Sequence, residues 1–150
     1  MMTFSEQFAQ SQGKPIECDG QVVHAIYRHE AKTGLKLRLR WVSGVDSPAQ
    51  GVSISVKGGL LEVADTKAKD IVLWRDTAPS EVTIKCSGRG VREILVWNCW
   101  RDDRGITRAW IGNAGMQLDD TGANTVRARC NSRSVVTFGD LVFDLVFEEP

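Results

Sequence analysis

The stretch that decides the fold reads Leu35-Lys36-Leu37-Arg38-Leu39-Arg40-Trp41. Apolar and basic side chains alternate along it with a period of two, which is typical of a β-strand with one buried and one solvated face. The same alternation recurs in the segments 52–57, 82–86, 126–130 and 141–148. This repeated period predicts a protein built mainly of antiparallel strands.

Turn-forming residues such as Gly, Pro, Ser and Asp separate these segments, and shorter strands are predicted at 22–28, 60–63, 71–74, 93–101 and 106–111. No long helical pattern intervenes, which argues against a parallel α/β sheet. We therefore expect an all-β fold, an antiparallel two-sheet sandwich of jelly-roll or Ig-like kind that spans residues 21–148.

A short helix is predicted over residues 1–13. Thr3 and Glu6 have the spacing of a capping box, and Phe4 and Phe8 fall on one face at i, i+4. Gly13 is a suitable stop. Two turns of helix are not stable alone in water, so we expect this helix to dock its phenylalanines on the sandwich as part of a single domain of 150 residues.

Composition narrows the function classes. The 19 Lys and Arg residues balance 19 Asp and Glu residues, whereas domains that bind nucleic acid usually have a basic excess. Nucleic acid is therefore a disfavoured partner. The sequence starts without the charged and apolar regions of a signal peptide, and its apolar runs are far shorter than the roughly 20 residues of a membrane span. We expect a soluble cytoplasmic protein with no membrane partner.

Metal and cofactor sites are not predicted. The four cysteines, Cys18, Cys86, Cys99 and Cys130, include no Cys-x-x-Cys pair, and we expect reduced, buried thiols. His24 and His29 are five residues apart, so they would point to opposite faces of a regular strand. The glycine-rich nucleotide-binding motifs are absent as well.

Segment 93–111 is apolar on both faces. Ile94, Val96, Asn98 and Trp100 point one way, and Leu95, Trp97 and Cys99 point the other way. Such a strand is either covered on both sides or carries a binding face. Residues 102–105 are predicted to form a hairpin turn, and a two- or four-residue loop would place Trp97 and Trp110 on one face. Trp100 would then share the other face with Ala109 and Ile111. A three-residue loop with a bulge would break this assignment.

The candidate ligand site lies at this hairpin. Exposed aromatic rings beside amide and charged groups can stack on sugar rings or bases. The predicted ligand-binding residues are Asn98, Trp100, Arg101, Asp102 and Arg104, with no catalytic residue and no metal ligand among them. The alternative is that these aromatic side chains are large core residues of a central hairpin.

Charged rows form a second feature. Lys36, Arg38 and Arg40 line one strand, and Arg127 and Arg129 line another. Together they could form a phosphate-binding patch. Asp144 and Glu148 occupy the matching face of the last strand and could pair with these cations, so a solvated or cross-paired face is the favoured interpretation.

Three functional hypotheses follow. The first is a non-enzymatic binding module for a sugar-like, other small-molecule or protein ligand, with Trp100 exposed beside a concavity. The second is an oligomeric interaction or assembly subunit with a flat apolar patch. The third is a small hydrolase that uses the carboxylates of Asp102-Asp103 or Asp119-Asp120, or a Cys–His pair, converging in a cleft. For the two aspartate pairs, capping of a turn is the favoured interpretation.

Overall fold

The computed structural model describes residues 2–150, so Met1 of the predicted helical segment lies outside the described residues. The chain folds as an antiparallel β-sandwich with one short N-terminal helix. Its elements in chain order are α1 (Phe4–Gln10), β1 (Ile16–Cys18), β2 (Gln21–Val23), β3 (Tyr27–Glu30), β4 (Lys36–Gly44), β5 (Gln50–Lys57), β6 (Leu60–Val63), β7 (Thr66–Ala68), β8 (Asp70–Trp74), β9 (Glu81–Ser87), β10 (Glu93–Arg101), β11 (Thr107–Arg108), β12 (Gly115–Gly122), β13 (Thr125–Asn131) and β14 (Leu141–Glu148).

Two main sheets form the sandwich. The seven-stranded sheet has the order β12-β13-β14-β4-β9-β6-β7. The five-stranded sheet has the order β11-β10-β5-β8, and β3 pairs with β10 on the same side as β11. A separate two-stranded ribbon joins β1 to β2. Every pairing between strands is antiparallel among the described residues, as the period of two predicted.

The core lies between the inner faces of the two sheets. Leu37 and Leu39 of the deciding stretch are fully buried there, opposite Leu145 and Phe147 of β14. From the five-stranded sheet, the alternate residues Val52, Ile54, Val56, Ile94 and Val96 join the same cluster. Burying these apolar side chains supplies most of the driving force for folding.

Helix α1 has the predicted capping box, in which Thr3 accepts from the Glu6 backbone and Glu6 accepts from Thr3. Phe4 and Phe8 are buried in a second cluster with Ile16 and Val23, and the Phe4 ring stacks on Phe138. The helix is thus docked through its two phenylalanines, as predicted.

Three predicted elements are wrong in detail. The strand predicted at 22–28 splits into β2 and β3, because His24 forms an isolated bridge to Met116 between them. The strand predicted at 106–111 shrinks to the two residues of β11. Asp119-Asp120, predicted as a turn, lies within β12, and the turn falls at 122–125. The ion pair of Asp119 with Arg129, at 3.1 Å, favours this longer strand.

Ion pairs cover the outer face of the seven-stranded sheet. Arg127 donates two hydrogen bonds to Asp144, at 2.8 and 2.9 Å. Arg40 donates to Glu81 at 2.8 Å, and Arg38 lies 3.8 Å from the same carboxylate. The cross-paired interpretation is therefore confirmed for these three arginines, with Glu81 as a partner that the sequence did not single out.

Asp140 holds the 131–140 loop. Its carboxylate is fully buried and accepts hydrogen bonds from the backbone amides of Ser132 and Arg133 and from the Arg133 guanidinium. Burial alone would raise the pKa of Asp140, but the hydrogen bonds from Arg133 and the two amides outweigh it, so the pKa lies below its ordinary value.

We expect Asp140→Asn to lower the free energy of unfolding by about 1–3 kcal/mol, because an amide cannot accept all these bonds and adds unwanted donors. Asp144→Asn is the matched control. It removes the partly exposed pair with Arg127, which should cost less than about 1 kcal/mol. Urea unfolding of both variants at pH 7 tests the difference, and equal losses would show that Asp140 has no special role.

A pH dependence follows from His24, whose pKa is lowered by burial. In the unfolded chain this histidine has a pKa of about 6.5, so around that pH the unfolded chain binds more protons than the folded chain. Stability should therefore fall as the pH is lowered below about 6.5. We expect His24→Gln to reduce the slope of unfolding free energy against pH between pH 7.5 and 5.5. Parallel slopes for the variant and the wild type would contradict this assignment.

Candidate functional site

Strand β10 builds the candidate site. It is paired with β5 on one side and with β3 and β11 on the other, so its backbone is held along its whole length. Asn98 and Trp100 belong to the inner face, where they lie opposite Val52 and Gln50. Trp97 and Arg101 belong to the outer face. The predicted site residues are therefore divided between two sides of one sheet.

Asn98 and Trp100 are buried, contrary to the expectation that they face a ligand. Asn98 donates from Nδ2 to the Asn131 carbonyl at 3.0 Å, and its side chain is enclosed between the sheets. The Trp100 side chain is only 8% exposed. The physical reason is the register with β5, which turns this face of β10 toward the core. The alternative, that these residues are core residues of the hairpin, is correct for both positions.

Arg101 and Asp102 remain at the surface. Together with Ser47, Pro48 and Ala49 they line a shallow depression at one end of the sandwich. Arg104 is exposed at the tip of the hairpin. These three residues can reach a ligand, and their role in binding stays a prediction.

Asp102 organises the hairpin loop. Its Oδ1 atom accepts from the backbone amides of Arg104 and Ile106, both at 2.9 Å, and Oδ2 accepts from Arg108 at 3.0 Å. The backbone hydrogen bond from Ile106 is the main cause that lowers the pKa of Asp102. The favoured interpretation as a turn-capping residue is confirmed for Asp102.

Trp110 lies on the outer face because of its backbone conformation and not because of strand pairing. Arg101 pairs with Thr107, so the loop has five residues, and continued regular pairing would place Trp110 on the face opposite Trp97. Instead, β11 ends at Arg108, and Trp110 adopts a φ of 60°, in the left-handed region. Its ring then lies 4.8 Å from the Trp97 ring, and its Nε1 donates to the Ala25 carbonyl at 3.1 Å.

A second aromatic group lies on the same face, at Trp74 of β8. Trp74 pairs with Gly51, where a Cβ atom would come within 2.7 Å of the indole ring. The glycine therefore lets the ring lie close to the backbone of β5. The Arg101 guanidinium stands 4.0 Å from the centre of this ring and 3.4 Å from Asp76. Trp74 was not predicted as a site residue. The sequence does contain Gly51, but only the register of the two strands shows that this glycine lies opposite Trp74.

We call Trp74, Trp97, Arg101 and Trp110 the aromatic face. Trp97 and Trp74 are two strands and two residues apart, which corresponds to a Cα separation of roughly 10–12 Å. Ser53 and Ser55 of β5 lie between the two strands, and the Ser55 hydroxyl donates to Asp70 at 2.6 Å. Ser53 is buried, so the polar groups that this face offers near the two aromatic groups are the partly exposed Ser55 and the exposed Asp70.

A titratable cluster lies elsewhere, at an end of β3. The Tyr27 hydroxyl is 3.0 Å from Nδ1 of His29, and Nε2 of His29 is 3.5 Å from Glu149. The His29 ring stacks on Phe147 at 3.7 Å. Burial, with Asp120 nearby, raises the pKa of Tyr27, so this hydroxyl stays protonated at neutral pH. It is therefore a poor candidate for a nucleophile.

The cysteines are free, and Cys86, Cys99 and Cys130 are buried, as predicted. Burial raises the pKa of Cys86 to about 11 and also raises the pKa values of Cys99 and Cys130. Thiols of this kind are poor nucleophiles because the thiolate is the reactive form. Within residues 2–150, no group of three or more His, Cys, Asp or Glu side chains is placed to hold a metal ion.

Comparison with known proteins gives no relative: no protein-family model matches the chain, and no curated protein or solved structure matches it either. Among the described residues, no helix has the length and apolar character needed to cross a membrane. The aromatic face therefore has to be interpreted from its own geometry.

We expect Trp110 to supply the fluorescence that acrylamide quenches most strongly, since its side chain is 44% exposed. Trp110→Phe should remove the strongly quenched fraction, whereas Trp100→Phe should leave that fraction in place and lower the melting temperature instead. Stern–Volmer plots of the two variants and the wild type measure this. Loss of the quenched fraction in Trp100→Phe would mean that the inner and outer faces of β10 are assigned the wrong way round.

Proposed function

We propose that the protein is a non-enzymatic binding module whose ligand lies across the aromatic face. The observation that carries this proposal is Trp110, which is 44% exposed although Trp97 and the Ala25 carbonyl hold its ring in place. A ring fixed in this way can contact a ligand with little further loss of conformational entropy. Its indole also offers a broad apolar surface for stacking.

A sugar-like ligand is the class that the face supports best. Sugar rings present C–H groups on one side and hydroxyl groups at the edge, so they need an aromatic platform with hydrogen-bonding groups beside it. Trp110 supplies the platform with Trp97 beneath it, and Ser55, Asp70 and Arg101 supply polar groups on the same face. The depression lined by Arg101 and Asp102 extends the polar part toward the hairpin loop.

The charges near this face disfavour a polyanion. Arg28 is paired with Glu93, Arg101 with Asp76 and Arg108 with Asp102, at distances between 3.0 and 3.4 Å. A phosphate backbone is bound mainly by cations whose charge is not already neutralised by the protein. The ion pairs therefore support the expectation from the balanced composition that nucleic acid is not the ligand.

A protein ligand is the second candidate, and the exposed apolar side chains favour it. Val72, Ile106 and Ile111 are each more than 40% exposed. Val72 lies two residues before Trp74 on the same strand, and Ile111 follows Trp110 in the chain. Flat surfaces with an aromatic and arginine centre are common in protein interfaces, where Trp and Arg often contribute most of the binding energy.

A hydrolase is less well supported. The Asp102 carboxylate already accepts hydrogen bonds from backbone amides of the hairpin loop. Asp119 and Asp120 are neighbours on β12, so their side chains leave the strand on opposite faces. The buried thiols have raised pKa values, as described above. Asp102 and Asp103 do line the same shallow depression, but the hydrogen bonds to Asp102 hold its carboxylate to the hairpin loop.

The test is a glycan array followed by titration calorimetry with the glycans that bind. We expect Trp110→Ala to weaken binding at least tenfold, whereas Trp110→Phe keeps a ring and retains most of the affinity. Trp41→Phe is the control tryptophan, because Trp41 belongs to the seven-stranded sheet. Equal affinities of Trp110→Ala and the wild type would exclude the aromatic face, and an array without any binding would exclude the sugar class and leave the protein ligand.

A further inference from the structure

A pocket of about 290 Å³ opens between β3 and β12, which are edge strands of the two sheets. It is lined by Tyr27 and His29 of β3, by Phe147 of β14 and by residues of the stretch 120–126, which includes the turn from β12 to β13. We call it the lateral pocket. None of its lining residues belongs to the aromatic face, so it is a second and separate candidate site.

Strand register turns three polar side chains toward this pocket. Tyr27 and His29 pair with core residues of β10, and Asp120 pairs with the core residue Val126. Directly paired residues of antiparallel strands project their side chains on the same face. The phenol, the imidazole and the carboxylate therefore all point into the space between the two sheets, although they come from different sheets.

The Asp120 carboxylate has no partner within residues 2–150. It takes part in no ion pair or side-chain hydrogen bond there, whereas the neighbouring Asp119 pairs with Arg129 on the outer face. No lysine or arginine lines the lateral pocket. Asp120 lies close enough to Tyr27 to add to the effect of burial in raising the pKa of that phenol. The pocket thus contains a negative charge that the protein does not neutralise.

Tyr27 adds a hydrogen-bond acceptor beside this charge. Its hydroxyl is 3.0 Å from Nδ1 of His29, and Nε2 of His29 is 3.5 Å from the Glu149 carboxylate. An ionised carboxylate can only accept, so we assign the ring proton to Nε2, and Nδ1 then accepts from the Tyr27 hydroxyl. The Tyr27 oxygen keeps its lone pairs for a further donor.

We propose that the lateral pocket binds an ammonium group, with Asp120 as its counter-ion and the Tyr27 oxygen as an acceptor for one of its N–H bonds. A primary ammonium has three N–H donors and no acceptor, which matches this pair of groups. The nearby rings of Tyr27 and His29, 6.1 Å apart, add aromatic surface of the kind that attracts cations. The volume lies at the small end of ligand sites and suits an alkylammonium chain of a few carbons.

Titration of the full chain with n-butylammonium, followed by amide NMR shifts, tests the proposal. We expect saturable shifts for residues 120–126, and we expect n-butanol, which has the same chain without the charge, to cause none. Nα-acetyl-lysine methylamide carries the same ammonium on a peptide unit. Tighter binding of this compound than of butylammonium would identify a lysine side chain as the source of the group, and weaker binding would identify a free amine.

Asp120→Asn should raise the dissociation constant for butylammonium at least tenfold, because it removes the charged acceptor. Asp119→Asn is the matched control, since Asp119 is the adjacent exposed aspartate of β12 on the outer face, and it should keep the wild-type affinity. Tyr27→Phe keeps the ring and should weaken binding by roughly three- to tenfold through loss of one acceptor.

An inward charge on an edge strand can also serve only to prevent pairing with other chains. That role would make Asp120→Asn self-associate while the wild type binds no amine. A wild type without saturable shifts, equal binding of butanol, or equal affinities of Asp120→Asn and Asp119→Asn would each overturn the proposal.

Discussion

The structure depends on one constraint: β10 has to bury apolar side chains on both of its faces. Its inner face meets this requirement in the sandwich core, where Ile94 and Val96 are fully buried. The outer face of the strand carries Leu95, Trp97 and Cys99. Trp110 covers Trp97 there, and Trp74 lies with Arg101 over the neighbouring part of the sheet. The aromatic face is thus the chain's own partial cover for a strand that is apolar on both sides.

This constraint links stability to the proposed binding surface. A flat sheet face cannot be covered completely by two indole rings, so part of their surface stays in contact with water. An incompletely covered aromatic surface is where a ligand gains most from stacking. The same incomplete cover extends to β8, whose edge carries Val72 and Trp74.

The outer faces of the two sheets differ in the residue types that they carry. On the seven-stranded sheet, arginines and carboxylates alternate with the buried residues and pair across strands, as Arg127 and Asp144 do. These pairs neutralise Arg38, Arg40, Arg127 and Arg129, whereas Lys36 and Lys85 lie opposite each other on the same sheet without an ion pair to any described residue. On the five-stranded sheet, aromatic and small residues replace most of those charges. The difference in surface chemistry, rather than a deep cleft, distinguishes the side on which we place the ligand.

The sequence by itself determined the β-sandwich and the N-terminal helix with its capping box. It also determined which side chains of β4, β9, β13 and β14 face the core. These features are local, because a period of two or a capping spacing acts within a few residues. The end of β11 and the extension of β12 were predicted wrongly, because pairing with distant strands decided where those strands stop.

Only the tertiary structure decided the candidate site. Sequence reasoning expected Trp100 to be exposed at the site, but Trp100 is buried. It also placed Trp97 and Trp110 on one face through a two- or four-residue loop; the two rings do meet, but the loop is different and regular pairing does not bring them together. The register of β10 against β5 buries Trp100, and the left-handed backbone of Trp110 returns that ring to the outer face. Register and loop conformation arise from contacts between residues far apart in sequence, which no local pattern contains.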